Sequence, residues 1–263
     1  MIDGWDDLVT AESYAMHVDR WSVYRSLNKR LAEIALCDLR VEGDLRVLDL
    51  ACGTGATLEA LLQGLPFESE ILAVDAAAAM VEYAEQRLPD PRVSWRVQRA
   101  EALLQQPVGP FDLISCGAAF WHLDSCVHQP LIDCLAPGGR LVFNLPAAQC
   151  VDGELQAHPI QAAVANLLAA ESDIFPALHP RFDRQEFAQL CRRSGLTCHW
   201  SEQLWQGPQA ALVDLLRIPA MAELLAPSLP RAQLEALVEA AAERVDADQS
   251  VSVAWFLARV ERP

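Results

Sequence analysis

Tyr14, Val18, Trp21, Leu27, Leu31 and Ile34 fall largely on one face, at spacings mostly of three, four or seven, with charges between them. That is the pattern of an amphipathic helix facing a core, here ended by Gly43 and Asp44. The period then changes. Leu45 to Leu50 is a short apolar run, followed by a glycine loop and a helix through Thr57, Leu58, Leu61 and Leu62 that Gly64 and Pro66 stop. Glu70–Asp75 predicts a second strand, Ala78 to Leu88 a helix broken by Pro89 and Pro91, and Val93–Val97 a third strand. Phe111–Ser115 predicts a fourth strand, Asp124 to Leu135 a helix closed at Pro137-Gly138-Gly139, and Arg140–Leu145 a fifth strand. Strands alternating with helices imply parallel strands joined by right-handed crossovers, with helices covering both faces.

After Pro146 the alternation stops. Ile160, Val164, Leu167 and Leu168 mark a helix, and Phe175 to Phe182 is rich in proline and histidine, which reads as a lid or substrate-pocket insert. A strand resumes near Leu196 to Trp200, helices fill residues 208–246, and Val251 to Leu257 predicts the last strand. The expected organisation is one domain over 1–263: a helical cap (1–43), a ligand-binding core (44–145), a lid insert (146–182) and the remainder of the sheet with a helical insert (183–263).

Ligands of such sheets sit beyond the carboxyl ends of the strands. At that edge lies Asp49-Leu50-Ala51-Cys52-Gly53-Thr54-Gly55, with Asp75 ending the second strand. Glycines let the backbone turn sharply and approach a ligand closely, and an acid at the end of strand two can accept both hydroxyls of a ribose. A lone Gly-x-Gly is equally an ordinary strand-to-helix turn, so the pairing with Asp75 gives it its weight. Leu58 stands where a dinucleotide site would place its third glycine, which disfavours an oxidoreductase.

The run Val47 to Gly55 resembles motif I of the class I S-adenosylmethionine-dependent methyltransferases. Ala73-Val74-Asp75 with Met80, Gln98 to Leu103, Phe111 to Cys116 with Phe120 to Asp124, and Leu135 to Leu141 resemble the following motifs in order. The subgroup resembled includes the ubiquinone, menaquinone and biotin-pathway methyltransferases. The resemblance implies an α/β, Rossmann-like class I methyltransferase sandwich: a mostly parallel seven-stranded sheet with an N-terminal helical cap and a helical lid insert. It implies S-adenosylmethionine as cofactor. Asp49 would hold the methionine amino end, and Ala51, Gly53 and Gly55 would line the nucleoside loop. Asp75 would bind the ribose, Ala100 and Glu101 would flank the adenine with Met80 packed on it, and Cys116 would approach the methionine with backbone groups. Two positions depart from the pattern. Arg99 replaces an aspartate that accepts from the adenine amino group, and a guanidinium cannot accept. Ala77 replaces a helix-capping serine, a loss of about 1 kcal/mol at the helix start.

Charge narrows the partner. The formal net charge is −16, and Lys29 is the sole lysine among 20 basic residues. No basic stripe is present to neutralise a phosphate backbone, so no nucleic acid is expected, and the balance favours a small neutral or cationic substrate. No apolar run reaches the ~18 residues of a membrane span, and the acidic start Met1 to Asp7 is unlike a secretory signal. A cytoplasmic protein is expected, with homodimerisation left open. The eight cysteines lack tight Cys-x-x-Cys spacing, so no metal site is expected, and most read as small buried hydrophobes.

For catalysis, His122 follows the fourth strand at the pocket mouth and is the candidate base, or else a helix-start histidine packed on the loop. Tyr24 is the second catalytic candidate. Tyr14, Trp121 and His179 are candidate substrate contacts; Phe120, Phe175 and Trp205 could join Trp121 in an aromatic wall. His17 is expected on a solvated face. The activity expected is methyl transfer to a small-molecule metabolite, with oxygen favoured as acceptor because His122 could serve it. Nitrogen or carbon acceptors, chemistry that uses the sulfonium without methyl transfer, and a non-catalytic subunit stay open.

Overall fold

The computed structural model describes residues 4–39, 44–153, 158–171, 182–224 and 226–263. Two helices occupy the place of the single one expected: α1 (Leu8–Arg20) and α2 (Ser22–Leu36). Trp21 separates them in an extended conformation, φ −109° and ψ 142°. Its indole Nε1 donates to Asp214 at 2.7 Å, which holds the bend without glycine or proline. Asp7 caps α1, accepting from the Val9 amide. Gly43, expected to end the helix, lies outside the described residues.

The core then runs β1 (Arg46–Leu50), α3 (Ala56–Leu62), β2 (Glu70–Asp75), α4 (Ala78–Arg87), β3 (Val93–Val97), α5 (Ala100–Leu104) and β4 (Phe111–Cys116). The helix expected over 124–135 shrinks to a 3-10 turn at Ser125–Val127 and α6 (His128–Asp133). The Pro-Gly-Gly segment falls inside β5 (Leu135–Pro146), whose pairing with β4 shifts register between Phe111 and Leu113. There follow α7 (Pro159–Glu171), α8 (Arg184–Arg193), β6 (Thr197–Pro208), α9 (Gln209–Leu216), α10 (Pro219–Glu223), α11 (Arg231–Ala242) and β7 (Ser250–Glu261).

The seven strands lie in the order β3-β2-β1-β4-β5-β7-β6, and β7 alone runs antiparallel to its neighbours. This is the expected α/β, mostly parallel seven-stranded sheet. One face buries Val47, Leu113, Val142 and Leu257 beneath apolar residues of α2, α3, α7, α9 and α11. The other buries Leu48, Ile114 and Phe143 with Phe120 and Phe187. β5 stops at Pro146, opposite Trp255, whereas Ser250–Ala254 pair with β6 alone. A two-stranded ribbon therefore projects past the carboxyl edge of the parallel strands.

Arg140 fastens the helical cap to the sheet. Its guanidinium, 5% exposed, donates to the carbonyls of Ile34, Ala35 and Cys37 at the end of α2. Those carbonyls have no intrahelical partner, and the end of a helix dipole favours a cation. Arg140→Met keeps the bulk and removes the donors. It is expected to cost about 1.5–3 kcal/mol in chemical denaturation, and an unchanged midpoint would show that the cap is held by packing alone.

Candidate functional site

The loop after β1 turns through three left-handed residues, Ala51 (φ 55°), Gly53 (φ 51°) and Gly55 (φ 82°). At Gly55 a Cβ would also come within 2.7 Å of Leu88 Cδ1. At Gly53 a Cβ would meet nothing within 4 Å, so the loop lies beside open space. Asp75 stitches the loop to β2: its Oδ2 accepts from the Gly53 amide at 2.8 Å and its Oδ1 from Ala77 N at 2.9 Å. Ala77 supplies no side-chain cap to α4; Asp6, from the cap segment, instead accepts from Ala79 N at 3.0 Å. The serine missing from this helix start is thus replaced by two carboxylates, which also suit the positive end of the helix dipole.

Asp49 is fully buried at the end of β1. Its Oδ1 accepts from the hydroxyl of Ser115, its register partner on β4, while Oδ2 has no hydrogen-bond partner among the described residues. Burial raises its pKa to about 7, with Ser115 opposing and the nearby Asp75 adding. Burial likewise pushes the Cys52 and Cys116 thiols well above their ordinary range, so neither is a thiolate nucleophile. A Cβ on Gly117 would collide with the Thr57 hydroxyl; only glycine lets the chain leave β4 this close to α3. Ala118 follows at φ 53° and donates its amide to Asn144 Oδ1 at 2.6 Å.

Across the edge, Ala100 is buried as the first residue of α5. Arg99 points outward, 60% exposed, and its Nε lies 3.3 Å from a Glu101 carboxylate oxygen. Met80 is buried with Ala11 and Ala77 between α1 and α4.

A run of rings borders this edge. Trp5 meets Tyr14 at 5.8 Å between centroids, Tyr14 meets Tyr24 at 5.6 Å, and Tyr24 meets Trp255 at 5.6 Å. Trp255 meets Trp121 at 6.1 Å, and Trp121 meets His122 at 4.8 Å. Tyr14, Tyr24, Trp121 and His122, chosen separately from sequence, are joined through Trp255, which the sequence placed only as a strand residue. Burial holds both tyrosines protonated, their pKa values raised well above ordinary. His122 sits in a 3-10 turn, Phe120–His122, rather than at the start of a longer helix. His179 and Phe175 lie outside the described residues.

Three expectations need correction. His17 is 2% exposed rather than solvated, because α9 covers that face of α1: its Nδ1 is 3.6 Å from Asp214, and burial lowers its pKa. Phe120 stacks on Phe143 at 3.7 Å in the opposite core and cannot wall the pocket. Of the eight cysteines, all with free thiols, Cys37 and Cys126 are exposed and four are buried. Among the described residues no group of His, Cys, Asp and Glu could hold a metal, and no helix is long and apolar enough to cross a membrane. A hollow of about 450 Å³ at the ribbon tip, lined by His158, Gln206, Gln249 and Ser252 among others, shares no residue with the edge just described.

Residues 47–139 match the family model described as a methyltransferase domain, which spans the loop, both acids and β4. Residues 47–139 thus carry a methyltransferase domain of the class I S-adenosylmethionine-dependent kind. The chain is 29% identical over 144 residues to a malonyl-[acyl-carrier protein] O-methyltransferase of Acetivibrio thermocellus, covering 53% of this chain and 50% of that protein. It is 35% identical over 109 residues to a ubiquinone biosynthesis O-methyltransferase of Xylella fastidiosa, covering 38% and 41%. The chain thus spans about half the length of the curated relatives it matches. Among solved structures, the YcgJ protein from Bacillus subtilis superposes with a TM-score of 0.57 at 17% identity, over 89% of this chain and 98% of that one. That likeness establishes the fold alone.

The methyltransferase domain carries a pH signature. The carboxyl of Asp49 titrates near 7 when folded, above its ordinary 3.8. Its contribution to stability is therefore full below about pH 3.8 and is lost as pH rises through 7. Asp49→Asn is expected to stabilise the ligand-free protein at pH 8 on the order of a few kcal/mol, with a smaller gain at pH 5.5. Thermal denaturation at the two pH values checks this; a gain independent of pH would contradict it.

Proposed function

We propose that this protein transfers a methyl group from S-adenosylmethionine to an oxygen of a small-molecule metabolite. The observation carrying the reading is the glycine loop, open at Gly53, held between buried Asp49, which keeps an unpaired oxygen, and half-buried Asp75. Asp49 Oδ2 would accept from the methionine ammonium, meeting the charge that burial otherwise penalises. Each Asp75 oxygen already accepts one amide and retains lone-pair capacity for a ribose hydroxyl. Ala51, Gly53 and Gly55 would line the nucleoside, and the backbone at Cys116 and Gly117 would border the methionine. Ala100 would meet the adenine, its base contacts falling to backbone because Arg99 engages Glu101; Met80 would support that floor from beneath.

When bound, the cofactor supplies a methyl group on a positively charged sulfur, open to in-line attack. The protein's own work is positioning and exclusion of water. Tyr14, Tyr24, Trp121 and Trp255 would form an apolar wall whose π faces favour positive charge nearby. His122, at its partly exposed end, would take the proton of the acceptor hydroxyl. Tyr24, kept protonated by burial, would donate to the acceptor oxygen and orient it. The cap (1–43) and the insert (146–182), including His179, would select the substrate above the 44–145 core, with 183–263 completing the sheet. Oxygen as acceptor is supported by the names of the relatives, two of which are O-methyltransferases. A cytoplasmic enzyme that binds no nucleic acid fits the charge of −16.

Two measurements test the reading. Calorimetry with S-adenosylhomocysteine is expected to show binding that Asp75→Ala weakens at least about tenfold; no binding by the unaltered protein would overturn the proposal. Labelled S-adenosylmethionine with a panel of hydroxylated metabolites is expected to give methylated product and S-adenosylhomocysteine in equal amounts. His122→Asn is expected to lower kcat by about 10² or more. Turnover without S-adenosylhomocysteine would contradict methyl transfer, and methylation of amines alone would contradict oxygen as acceptor.

A further inference from the structure

Two hydrogen-bond donors are buried beside the aromatic wall with no acceptor among the described residues. Asn144, 0% exposed on β5, spends Oδ1 on the Ala118 amide and leaves Nδ2 without a partner. The Ala118 bond also fixes which end of the amide is which. Trp255, 3% exposed on β7, leaves its indole Nε1 without a partner.

The strand pairing places these donors together. Asn144 is opposite Leu257, and Trp255 lies two residues further along the same strand, so both side chains project from one face. Diagonal neighbours of this kind are about 7–8 Å apart, within reach of one another's side chains. A second connection closes the group: Asn144 holds Ala118, three residues before Trp121, whose ring packs on Trp255. On the same face, toward β1, stand Ser115 and Asp49.

A buried donor without an acceptor costs about 1–3 kcal/mol, and native interiors leave few such groups unmet. Two at one place, next to a proposed substrate wall, indicate that an acceptor arrives with the ligand. Its charge follows from the neighbours. Both donors are neutral, the contacts just described include no arginine or lysine, and the adjoining carboxyls are the buried Asp49 and the half-buried Asp75. An anionic oxygen brought there would be desolvated without a counter-charge.

We infer that Asn144 Nδ2 and Trp255 Nε1 form a recognition site for the uncharged carbonyl oxygen of a flat, ring-bearing acceptor substrate. This rests on the methyl-transfer reading for what happens next to it, but the donor pair is a property of the chain itself.

Three matched probes separate the possibilities: 4-hydroxyacetophenone, 4-ethylphenol, which lacks the carbonyl, and 4-hydroxybenzoate, which carries a charge. Each is titrated against the S-adenosylhomocysteine-saturated protein by calorimetry or ligand-observed NMR. The ketone is expected to bind about tenfold more tightly than either analogue. Trp255→Phe keeps a ring and removes the donor; Asn144→Asp keeps the Ala118 contact and removes the donor. Each variant is expected to abolish most of the ketone's advantage, with S-adenosylhomocysteine affinity unchanged within about twofold in Trp255→Phe. Equal affinities for ketone and ethylphenol, a preference for the benzoate, no binding of any probe, or an undiminished preference in both variants would overturn the inference. Failure of the unaltered protein to bind S-adenosylhomocysteine would instead overturn the cofactor reading. The same titrations on the cofactor-free protein then judge the donor pair by itself.

Discussion

A carboxyl group buried with one oxygen unpaired sets the terms for this molecule. Asp49 is fully enclosed, takes a single hydrogen bond from Ser115, and is pushed by burial to a pKa of about 7. Folding alone gains nothing from placing an acid there, since an apolar residue would satisfy the end of a parallel strand without that penalty. Its position makes sense for a site completed from outside, where a cation supplies what the protein withholds. The neighbouring backbone is fixed as well. Asp75 holds Gly53 and Ala77 by their amides, and the loop faces open space at Gly53.

The rest of the architecture secures that opening. Arg140 binds the carbonyl end of α2, Trp21 and His17 lean on Asp214 of α9, and Asp6 caps α4 from the other side. The helical cap is therefore tied to the sheet, to the helices after β6 and to the helix that follows Asp75. Between these ties the rings from Trp5 to His122 bridge cap, β7 and the loop after β4. If these rings bind the substrate as proposed, a wall assembled from three separate segments would change its specificity without disturbing the glycine loop.

How much of this was readable beforehand depends on the kind of burial. β1 to β4 start and stop within a residue of their expected bounds. β1, β2 and β4 are central parallel strands whose apolar residues run nearly unbroken, while β3, at the sheet edge, is marked by the alternation Val93, Trp95, Val97 between polar residues. β6 and β7 are longer than expected. Ser201, Glu202 and Gln206 are exposed on an edge strand and carry no apolar signal. The bend at Trp21 was hidden for a different reason, since both flanking helices keep the same apolar spacing and no glycine or proline marks the join. α8 was missed because only Phe187, Leu190 and Cys191 pack inward across its ten residues. That Asp49, the loop glycines and Asp75 would meet at the carboxyl edge was legible through their order and spacing. Trp255 was not, being far along the chain from every motif. Asn144 did leave a trace: it is the one polar residue in Leu141-Val142-Phe143-Asn144-Leu145, at a position otherwise reserved for the core.

The central claim is that a cationic ligand group completes Asp49. The most direct measurement is proton-linked calorimetry of S-adenosylhomocysteine binding between pH 5.5 and 8, in buffers of different ionisation enthalpy. If the ammonium of the ligand meets this carboxyl, binding below pH 7 releases up to about one proton and tightens as pH rises toward 7. Asp49→Asn removes that release. Tight binding with no proton release and no pH dependence in the unaltered protein would contradict the account.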